Sequence, residues 1–193
     1  MRQDFPEIYV LRHGETVWNR EGRMQGALDS PLTDLGREQA ETQGRLLAEA
    51  GALGLTVYAS PQRRVFETAR IALSGRGVTP RVDARLREIS LGAWEGLTRA
   101  EIAARWPGTL DVVDPVRVYD NAPGGEGVAS VAARVAEFLA ELEGPSVIFS
   151  HGVTSRILRC VALRWPLSEF RAVPAEQGVV YHLRDGIQNV IEP

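Results

Sequence analysis

The chain has 193 residues, of which 44% are hydrophobic and 24% charged, and its formal net charge is -3. This length and composition are typical of one globular domain, so a single domain over residues 1–193 is expected. The mildly acidic balance, with a pI near 5.7, argues against a nucleic-acid or membrane-surface binder. No segment approaches the roughly 20 apolar residues of a membrane-spanning helix. The opening "MRQDFPE" lacks the apolar run of a signal peptide, so a cytoplasmic location is expected.

Two residue types limit the chemistry that this chain can perform. Cys160 is the only cysteine, which excludes an internal disulfide and a multi-cysteine zinc site. All 22 basic residues are arginine. The absence of lysine excludes a P-loop lysine, a Schiff-base lysine and a Ser-Lys nucleophile pair. Any phosphate must therefore be bound by arginine, histidine and backbone N–H groups.

Apolar, strand-like runs alternate with helical patterns along the chain, which predicts a βα-type protein with a largely parallel sheet. Ile8–Leu11 is the first predicted strand. A helix is predicted from the N-cap Thr33 to about Ala50. Within it, small and apolar residues suited to close packing on a sheet recur at helical spacing: Gly36, Ala40, Gly44 and Leu47.

The second strand and helix are predicted from the segment that follows. Thr56–Ala59 is the strand. Ser60 is the predicted N-cap and Pro61 the predicted first residue of a helix that runs to about Leu73.

In the remaining chain, predicted strands and helices alternate on both sides of one irregular segment. The segment "WPGTLDVVDPVRVYDNAPGGEG" is rich in proline and glycine and is predicted to be an irregular, lid-like excursion. The predicted elements are a short strand at Arg81–Val82, a helix at Thr98–Trp106, the excursion at 106–127, an amphipathic helix through 131–142, a strand at 146–150, a helix through 153–161 and a last strand at 178–183.

Two of the three histidines follow apolar strands directly and precede a glycine. His13 is the histidine of "IYVLRHG", and His151 is the histidine of "SVIFSHG". Ligands bind at the carboxyl ends of strands in open parallel sheets, so these two histidines indicate a shared site. Arg12 supports this interpretation, because a charge at such a buried position is costly without an anionic ligand. His182, inside "VVYHL", is interpreted as a packing residue.

These residue types fit a phosphate ligand. A neutral imidazole can attack a phosphoryl group and hold it covalently. Guanidinium groups pair with phosphate oxygens and stay charged throughout. Gly14 would let backbone N–H groups approach the anion closely. Thr16 and Asn19 would donate further hydrogen bonds.

A series of motifs, in order along nearly the whole chain, resembles the histidine phosphatase superfamily, the phosphoglycerate mutase-like enzymes. The resemblance implies an α/β fold with three layers, in which a mostly parallel open sheet has helices on both faces. One departure is Val153, where many members have glycine or asparagine. The motifs are "LRHGETVWN" (11–19), "GRMQGALDSPLTDLGREQA" (22–40), "ASPQRRVFETA" (59–69), "LREISLGAWEGLT" (86–98), "PGGEG" (123–127) and "FSHG" (149–152).

The resemblance also implies the role of each site residue. His13 would be the nucleophile that forms a phosphohistidine. The side chains implied to hold the phosphoryl group are Arg12, Arg64, His151 and Asn19. Glu88 would give a proton to the leaving alkoxide and then take one from the attacking water. Gln25 and Gly26 match positions that line the substrate side.

No metal and no cofactor are expected, since the sequence offers no credible zinc ligand set. The expected partner is a small phosphorylated metabolite. Within "LREISLGAWEGLT", Glu95 competes with Glu88 for the role of proton donor. Trp94 in the same segment is interpreted as a packing aromatic. Cys160 lies among apolar helix positions and is expected in the core.

The helical phase of "SPQRRVFETARIAL" separates two adjacent arginines. At about 100° per residue, Val65 and Ala69 lie on one apolar face. Arg63 falls on the solvent side, where it is predicted to pair with Glu67. Arg64 falls beside the apolar face in the first turn, where the helix N-terminus can help it to hold an anion.

Three functions are compatible with these motifs. The leading hypothesis is a metal-independent phosphatase that acts on a small phosphate monoester. The second is a cofactor-dependent phosphoglycerate mutase. It is disfavoured because only about 35 residues separate Glu88 from "PGGE", which is short for a lid that keeps water out. The third is a non-catalytic phospholigand-binding module on the same fold.

The sequence does not decide the substrate or the oligomeric state. The candidate substrates that the resemblance suggests are alpha-ribazole phosphate, sugar phosphates and phosphoglycerate, or a broad range of phosphate esters. The residues that choose among them are expected in the excursion at 106–127.

Overall fold

The structure, a computed structural model, describes residues 5–111 and 114–193 and has a six-stranded sheet at its centre. The strand order is β3-β2-β4-β1-β5-β6. The first four strands in this order run parallel, and β5 and β6 are added antiparallel. The strands are β1 (Ile8–Arg12), β2 (Thr56–Ala59), β3 (Arg81–Val82), β4 (Ser146–Ser150), β5 (Val180–Arg184) and β6 (Ile187–Ile191).

Helices cover both faces of this sheet, as the three-layer prediction requires. The described α-helices are α1 (Val17–Arg20), α2 (Asp34–Glu49), α3 (Arg63–Ala72), α4 (Arg99–Arg105), α5 (Pro115–Asp120), α6 (Val128–Ala140) and α7 (Gly152–Leu163). Helices α2 and α3 pack on one face, and α6 and α7 pack on the other. The fold is therefore the predicted α/β architecture with a mostly parallel open sheet.

The alternation of side chains along β1 explains why the sheet is buried on both faces. Ile8 and Val10 pack into the core beneath α6 and α7, whereas Tyr9 and Leu11 pack into the core beneath α2 and α3. All four are buried, because β1 lies between β4 and β5 in the middle of the sheet. A continuous apolar run is the pattern expected of such a strand.

The stripe of small residues on α2 is buried as predicted, and its glycines lie against a helix and a loop. A Cβ atom at Gly44 would lie 2.3 Å from the carbonyl oxygen of Ala72 at the end of α3. At Gly36 it would lie 2.1 Å from the carbonyl oxygen of Glu15, in the loop after β1. The glycines therefore let α2 approach a helix and a loop, while Ala40 and Leu47 fill the core.

Most element boundaries agree with the sequence patterns, and the predicted N-cap of α2 is confirmed. Thr33 caps α2 by accepting a hydrogen bond from the N–H of Gly36. Thr98, predicted as the first residue of a helix, is the N-cap of α4. The predicted start of α3 is wrong by two residues: the helix begins at Arg63, with Gln62 as its N-cap. The short helices α1 and α5 were not predicted, since neither spans enough residues to show a periodic pattern.

The excursion at 106–127 is more ordered than its composition indicates. It contains α5, and its residues Val118 and Ala122 are buried in the core beneath α6 and α7. Residues 112 and 113 of the excursion lie outside the described residues. The segment therefore packs on the body of the fold at the side where α7 begins.

The sequence analysis also missed β6. This strand forms a hairpin with β5 through a two-residue turn, in which Asp185 has a φ of 53° and Gly186 a φ of 78°. Asp-Gly is the usual sequence for such a turn. The Asp-Gly signal for a hairpin turn was present in the sequence, but "IQNVI" lacks the strict alternation of apolar and polar residues that identifies a strand.

Candidate active site

The two strand-end histidines meet because their strands are neighbours in register. Arg12 of β1 pairs with Ser150 of β4, so His13 and His151 follow at the same edge of the sheet. The N–H of His13 donates to the carbonyl of Ser150 over 3.1 Å. The two rings meet edge to face with their centroids 5.4 Å apart. Both side chains are buried, as expected for groups held in place by the sheet.

A third strand end contributes a residue that the sequence analysis assigned only to a helix cap. Ser60 follows β2, which lies beside β4, and its Oγ atom is 2.8 Å from Nε2 of His151. This contact occupies one nitrogen of the His151 ring. The other nitrogen, Nδ1, is buried and has no hydrogen-bond partner in the described part of the chain.

The ring of His13 is held in one tautomer. Its Nδ1 atom lies 2.8 Å from the carbonyl oxygen of Gly14, so Nδ1 carries the proton and Nε2 keeps its lone pair. Burial lowers the pKa of His13 well below its usual value, and the nearby charges of Arg64 and Arg12 lower it further. His13 is therefore a neutral imidazole near pH 7, the form required for nucleophilic attack.

Two arginines bring positive charge to this end of the sheet. Arg64 is fully buried and its guanidinium group binds the carbonyl oxygens of Gly26 and Leu28 and the carboxylate of Asp29. Arg12 donates to the carbonyl oxygen of Ala175 over 2.8 Å. In both arginines the buried Nε–H finds no acceptor within residues 5–111 and 114–193. These two donors are available to an anion.

The helical phase predicted for α3 is confirmed for its two adjacent arginines. Arg63 is exposed and Arg64 is buried on the side of the helix that carries Val65. The predicted pair between Arg63 and Glu67 is wrong, because Glu67 forms its ion pair with Arg37 of α2 at 2.6 Å. Phe66, the next residue along, is exposed.

The carboxylate of Glu88 lies against the N-terminus of α7. Its Oε1 atom accepts hydrogen bonds from the N–H groups of Thr154 and Ile89. The hydroxyl of Thr154 also lies 3.0 Å from this oxygen, but it is closer, at 2.7 Å, to the carbonyl oxygen of Arg87. The Oε2 atom of Glu88 accepts one hydrogen bond, from the N–H of Val153 at 3.1 Å. The first oxygen thus has two backbone donors, whereas the second has one and keeps a lone pair. The backbone of Glu88 is fixed as well, since its N–H donates to the side chain of Gln62.

A cleft of about 170 Å³ connects most of the predicted site residues. It is lined by seven of the ten: Arg12, His13, Asn19, Gln25, Gly26, Arg64 and Glu88. His151 lies directly beside His13. Gly14 and Thr16 do not line the cleft, and each has a structural partner instead.

The N–H of Gly14 donates to the hydroxyl of Thr68 on α3, so it is not available to an anion in this structure. Gly14 is needed for close packing, because a Cβ atom there would lie 2.1 Å from the carbonyl oxygen of Gly36. Thr16 is the N-cap of α1, with Asn19 as its reciprocal partner. The threonine therefore orients Asn19, which does line the cleft.

The segment 173–177 supports the site and was not identified from the sequence. Three consecutive carbonyl groups accept hydrogen bonds from arginine: Val173 from Arg156, Pro174 from Arg159 and Ala175 from Arg12. Gln177 then donates from Nε2 to the carbonyl of His13 and to Oδ1 of Asn19. The segment thus connects α7 with the loop that carries His13, and only the tertiary structure reveals this.

The competing acid, Glu95, and the two residues interpreted as packing residues all have structural surroundings. Glu95 accepts hydrogen bonds from Ala27 and Leu91 and does not line the cleft, so it is not placed for the acid role. Trp94 is buried in the core. The ring of His182 stacks on Tyr9.

Cys160 is fully buried in the core beneath α6 and α7, where burial raises its pKa to about 11. No helix within the described residues is long and apolar enough to cross a membrane.

The open sheet, with two paired histidines and two arginines at its strand ends, defines the class of protein: an α/β fold with a cationic cleft at the sheet edge. Residues 8–186 match the sequence profile of the histidine phosphatase superfamily (branch 1). The chain belongs to this superfamily, and its class of activity is that of a phosphoric monoester hydrolase.

Named relatives include both phosphatases and a mutase-like protein. The chain is 36% identical over 180 residues to a glucosyl-3-phosphoglycerate phosphatase of Mycobacterium tuberculosis. The matched region covers 86% of this chain and 79% of that protein. It is 37% identical over 173 residues to a probable phosphoglycerate mutase of Enterobacter sp., covering 83% of this chain and 76% of that protein. The structure of a mycobacterial glucosyl-3-phosphoglycerate phosphatase in complex with VO3 superposes with a TM-score of 0.78 at 34% identity, covering 93% of this chain and 92% of that chain.

Proposed function

We propose that this chain is a metal-independent phosphatase that hydrolyses a small phosphate monoester through a phosphohistidine on His13. One observation carries this proposal. Three buried nitrogens close to His13 have no partner among the described residues: Nε of Arg12, Nε of Arg64 and Nδ1 of His151. Buried polar groups are nearly always hydrogen-bonded, so unpaired donors around a buried nucleophile indicate an oxyanion ligand.

The first step transfers the phosphoryl group to the enzyme. Nε2 of His13 attacks phosphorus, a nitrogen–phosphorus bond forms, and the bond to the ester oxygen breaks. Arg12, Arg64, Asn19 and His151 hold the transferring group, which supplies most of the catalysis since phosphoryl transfer needs mainly positioning and charge stabilisation. For His151 this requires that Ser60 donates its proton to Nε2, so that Nδ1–H faces the phosphoryl oxygen. Protonated Glu88 gives its proton to the leaving alkoxide.

In the second step Glu88 acts as the base and His13 is the leaving group. Water attacks phosphorus and the nitrogen–phosphorus bond breaks, which frees inorganic phosphate and neutral His13. Glu88 takes the proton of the water and is ready for the next cycle. Oε2 of Glu88 suits both transfers, because it keeps a lone pair and belongs to a residue that lines the cleft.

We further propose that residues 1–193 act as one domain in which the excursion at 106–127 borders the substrate. Tyr119 of α5 lines the cleft, and its ring lies 5.5 Å from that of Phe170. The substrate proposed is a small phosphorylated metabolite, held partly by this excursion.

A rapid-quench experiment with a radiolabelled aryl phosphate tests the covalent step. The expected phosphoenzyme is acid-labile and base-stable, is absent in His13→Ala, and accumulates in Glu88→Gln because water activation becomes slow. Turnover should continue in EDTA, since Arg12 and Arg64 supply the positive charge that a metal would supply elsewhere. Turnover by the wild-type enzyme with no phosphohistidine at any quench time would overturn the mechanism.

The mutase alternative is retained because one named relative is a probable phosphoglycerate mutase. It shares the first step and differs in the acceptor of the phosphoryl group. With 2,3-bisphosphoglycerate present, we expect release of inorganic phosphate from 3-phosphoglycerate with little isomerisation to 2-phosphoglycerate. Fast isomerisation without phosphate release would establish the mutase. Tight binding of phosphate esters with no turnover would establish a binding module.

A further inference from the structure

Arg159 is a buried cation that the proposed mechanism does not use. Its side chain lies in the middle of α7 and is among the largest fully buried side chains of the described residues. It forms no ion pair within the described ranges, and burial lowers its pKa to about 10. A buried charge without a counter-charge costs stability, whereas an apolar side chain of similar size fills the same space without that cost. The hydrogen bonds of Arg159 therefore indicate the role of this residue.

The guanidinium group of Arg159 contacts three separate parts of the chain. Nε donates to the carbonyl oxygen of Ser155, one turn back in α7, over 3.2 Å. Nη1 donates to the side-chain oxygen of Gln188 on β6 over 2.9 Å, and Nη2 donates to the carbonyl oxygen of Pro174. The bonds to Ser155 and Gln188 hold the guanidinium group in place. The bond to Pro174 connects it to the segment 173–177, which contacts the candidate active site.

Tyr181 of β5 binds the same segment and stacks on Arg159. The Cζ atom of Arg159 lies 3.8 Å from the centroid of the Tyr181 ring, a cation–π contact that places the guanidinium group over the ring. The hydroxyl of Tyr181 accepts a hydrogen bond from the N–H of Glu176 over 2.8 Å and donates one to the carboxylate of Glu176 over 2.5 Å. Burial raises the pKa of Tyr181 to about 12, so the hydroxyl keeps its proton. Arg159 and Tyr181, here called the stacked pair, thus bind the segment at two points.

These two points lie on either side of the residue that binds Arg12. Pro174 and Glu176 flank Ala175 in the chain. The carbonyl oxygen of Ala175 accepts a hydrogen bond from Nη1 of Arg12 over 2.8 Å. This is the hydrogen bond that the side chain of Arg12 makes within the part of the chain that the structure describes, and its buried Nε–H is left for an anion. The direction of that Nε–H consequently depends on where the carbonyl group of Ala175 is held.

We propose that the stacked pair positions Arg12 for catalysis: by fixing the segment on both sides of Ala175, it sets the carbonyl group that orients the guanidinium group of Arg12 toward the transferring phosphoryl group. Arg159 and Tyr181 do not line the cleft, so they are positioning residues that act through Arg12. A donor contributes most to phosphoryl transfer when its direction is fixed before the reaction, and a small displacement of such a group reduces the rate strongly. This inference rests on the proposed phosphatase activity.

The first test measures kcat/KM for an aryl phosphate in variants of the stacked pair. Arg159→Met keeps an apolar stem and removes the donor to Pro174, so we expect kcat/KM to fall by about 10-fold or more, a part of the loss expected without Arg12 itself. Tyr181→Phe keeps the ring and removes only the hydroxyl that binds Glu176, so its kcat/KM should fall by a smaller factor. Circular dichroism and urea denaturation show whether each variant is folded.

Gln188→Met is the matched control. It removes another hydrogen-bond partner of Arg159, at the edge strand β6, and leaves the contacts of the segment 173–177 intact. Its kcat/KM should stay close to that of the wild type. An equal loss in Gln188→Met and Arg159→Met would overturn the proposal, because the loss would then follow from any disturbance around Arg159.

The second test is a double-mutant cycle, whose result distinguishes a positioning role from a merely structural one. If Arg159 acts through Arg12, Arg159→Met should change kcat/KM by less than about 2-fold in an Arg12→Ala background, because the group that it positions is absent. The same loss in both backgrounds would overturn the proposal, since Arg159 would then support the fold in general.

The possible failures are distinguishable. Wild-type activity in a folded Arg159→Met enzyme would overturn the positioning role while the phosphatase function stands. If Arg159→Met does not fold, Tyr181→Phe and its double mutant with Arg12→Ala decide in the same way, since the ring that fills the core is kept. A wild-type enzyme that hydrolyses neither an aryl phosphate nor any other phosphate monoester tested would overturn the proposed function itself.

Discussion

Arg63 and Arg64 are adjacent on α3, but only Arg64 reaches the cleft. We expect Arg64→Ala and Arg64→Lys to reduce turnover by roughly 10²-fold or more, the scale of losing one preorganised charge-stabilising donor. Lysine keeps the charge but lacks the planar fork that binds Gly26, Leu28 and Asp29 together. The measurement is kcat on an aryl phosphate, with folding checked by circular dichroism.

The control for this pair is Arg63→Ala. Because Arg63 is exposed, the substitution should change turnover little and cost at most about 1 kcal/mol of unfolding free energy. Equal kinetic damage at both positions would contradict the assignment of Arg64 to the phosphoryl group.

The two buried histidines predict a specific dependence of stability on pH. In the unfolded chain each imidazole titrates near 6.5, whereas burial lowers the pKa of His13 and His151 well below that value in the folded protein. The unfolded state therefore binds more protons below pH 6.5. The stability contributed by the neutral rings is complete above about pH 6.5 and is lost as the pH falls toward the folded pKa values.

We expect the unfolding free energy in urea to fall between about pH 6.5 and 5 by up to about 1.4 kcal/mol per pH unit for each histidine. His151→Gln should halve the slope. This window lies above the region near 4.5, where carboxylates such as Glu7 and Glu15, with lowered pKa values, begin to contribute. An unfolding free energy that stays constant over the window would contradict the buried neutral state.

The residues that meet in the cleft were in part predictable from the sequence, whereas those that position them were not. His13 and His151 follow apolar strands, which is a local pattern. Ser60 contacts His151 only because β2 lies beside β4, and Gln177 reaches His13 across 164 positions of sequence separation. Such contacts depend on strand order and loop path, which no local spacing encodes.

At the scale of elements, the close approach of α2 to the nucleophile loop depends on glycine. We expect Gly36→Ala to destabilise the protein by about 1–3 kcal/mol, the usual cost of overpacking, because the new methyl would meet the carbonyl of Glu15. Gly54→Ala is the control, since a methyl there meets nothing within 4 Å.

Urea denaturation measures both variants, and an aryl phosphate assay measures activity. Activity should fall in Gly36→Ala, because Gly14 lies against Gly36 and any shift moves the loop that carries His13. Helix propensity alone would predict that Gly36→Ala gains about 1 kcal/mol. A stabilised, fully active variant would therefore contradict the packing argument.

Element boundaries were predictable where a cap and a long apolar period coincide, as at Thr33 for α2. They were less predictable where a short element depends on tertiary contacts. Helix α5 is one example, since its residue Val118 is fixed by the core and not by a repeating pattern. The hairpin of β5 and β6 is another, because β6 has only one neighbour and its exposed residues carry no burial pattern.

For the whole molecule, the proposed oxyanion site predicts that a bound anion stabilises the fold. Orthovanadate at about 100 times its dissociation constant would add about 2.7 kcal/mol, which for a chain of this length raises the unfolding midpoint by about 5–10 °C. Differential scanning calorimetry measures the shift, with sodium chloride at equal ionic strength as the reference. Vanadate should also inhibit hydrolysis, because it mimics the pentacoordinate transition state.

Arg64→Lys serves as the control for this measurement and should lose most of the shift. A shift of the same size in that variant, or in chloride alone, would show that the anion acts on the surface and not in the cleft.

The central position of β1 has a consequence for how the protein is made. On the ribosome β1 emerges early, but its neighbours β4 and β5 are formed by residues 146–150 and 180–184. Pairing between such distant segments cannot form until the later one has been synthesised. A nascent or prematurely terminated chain thus contains His13 but lacks His151 and the 173–177 segment. In the proposed mechanism, a chain that has not yet been extended through residue 177 lacks these parts of the site, so we expect it to have no phosphatase activity.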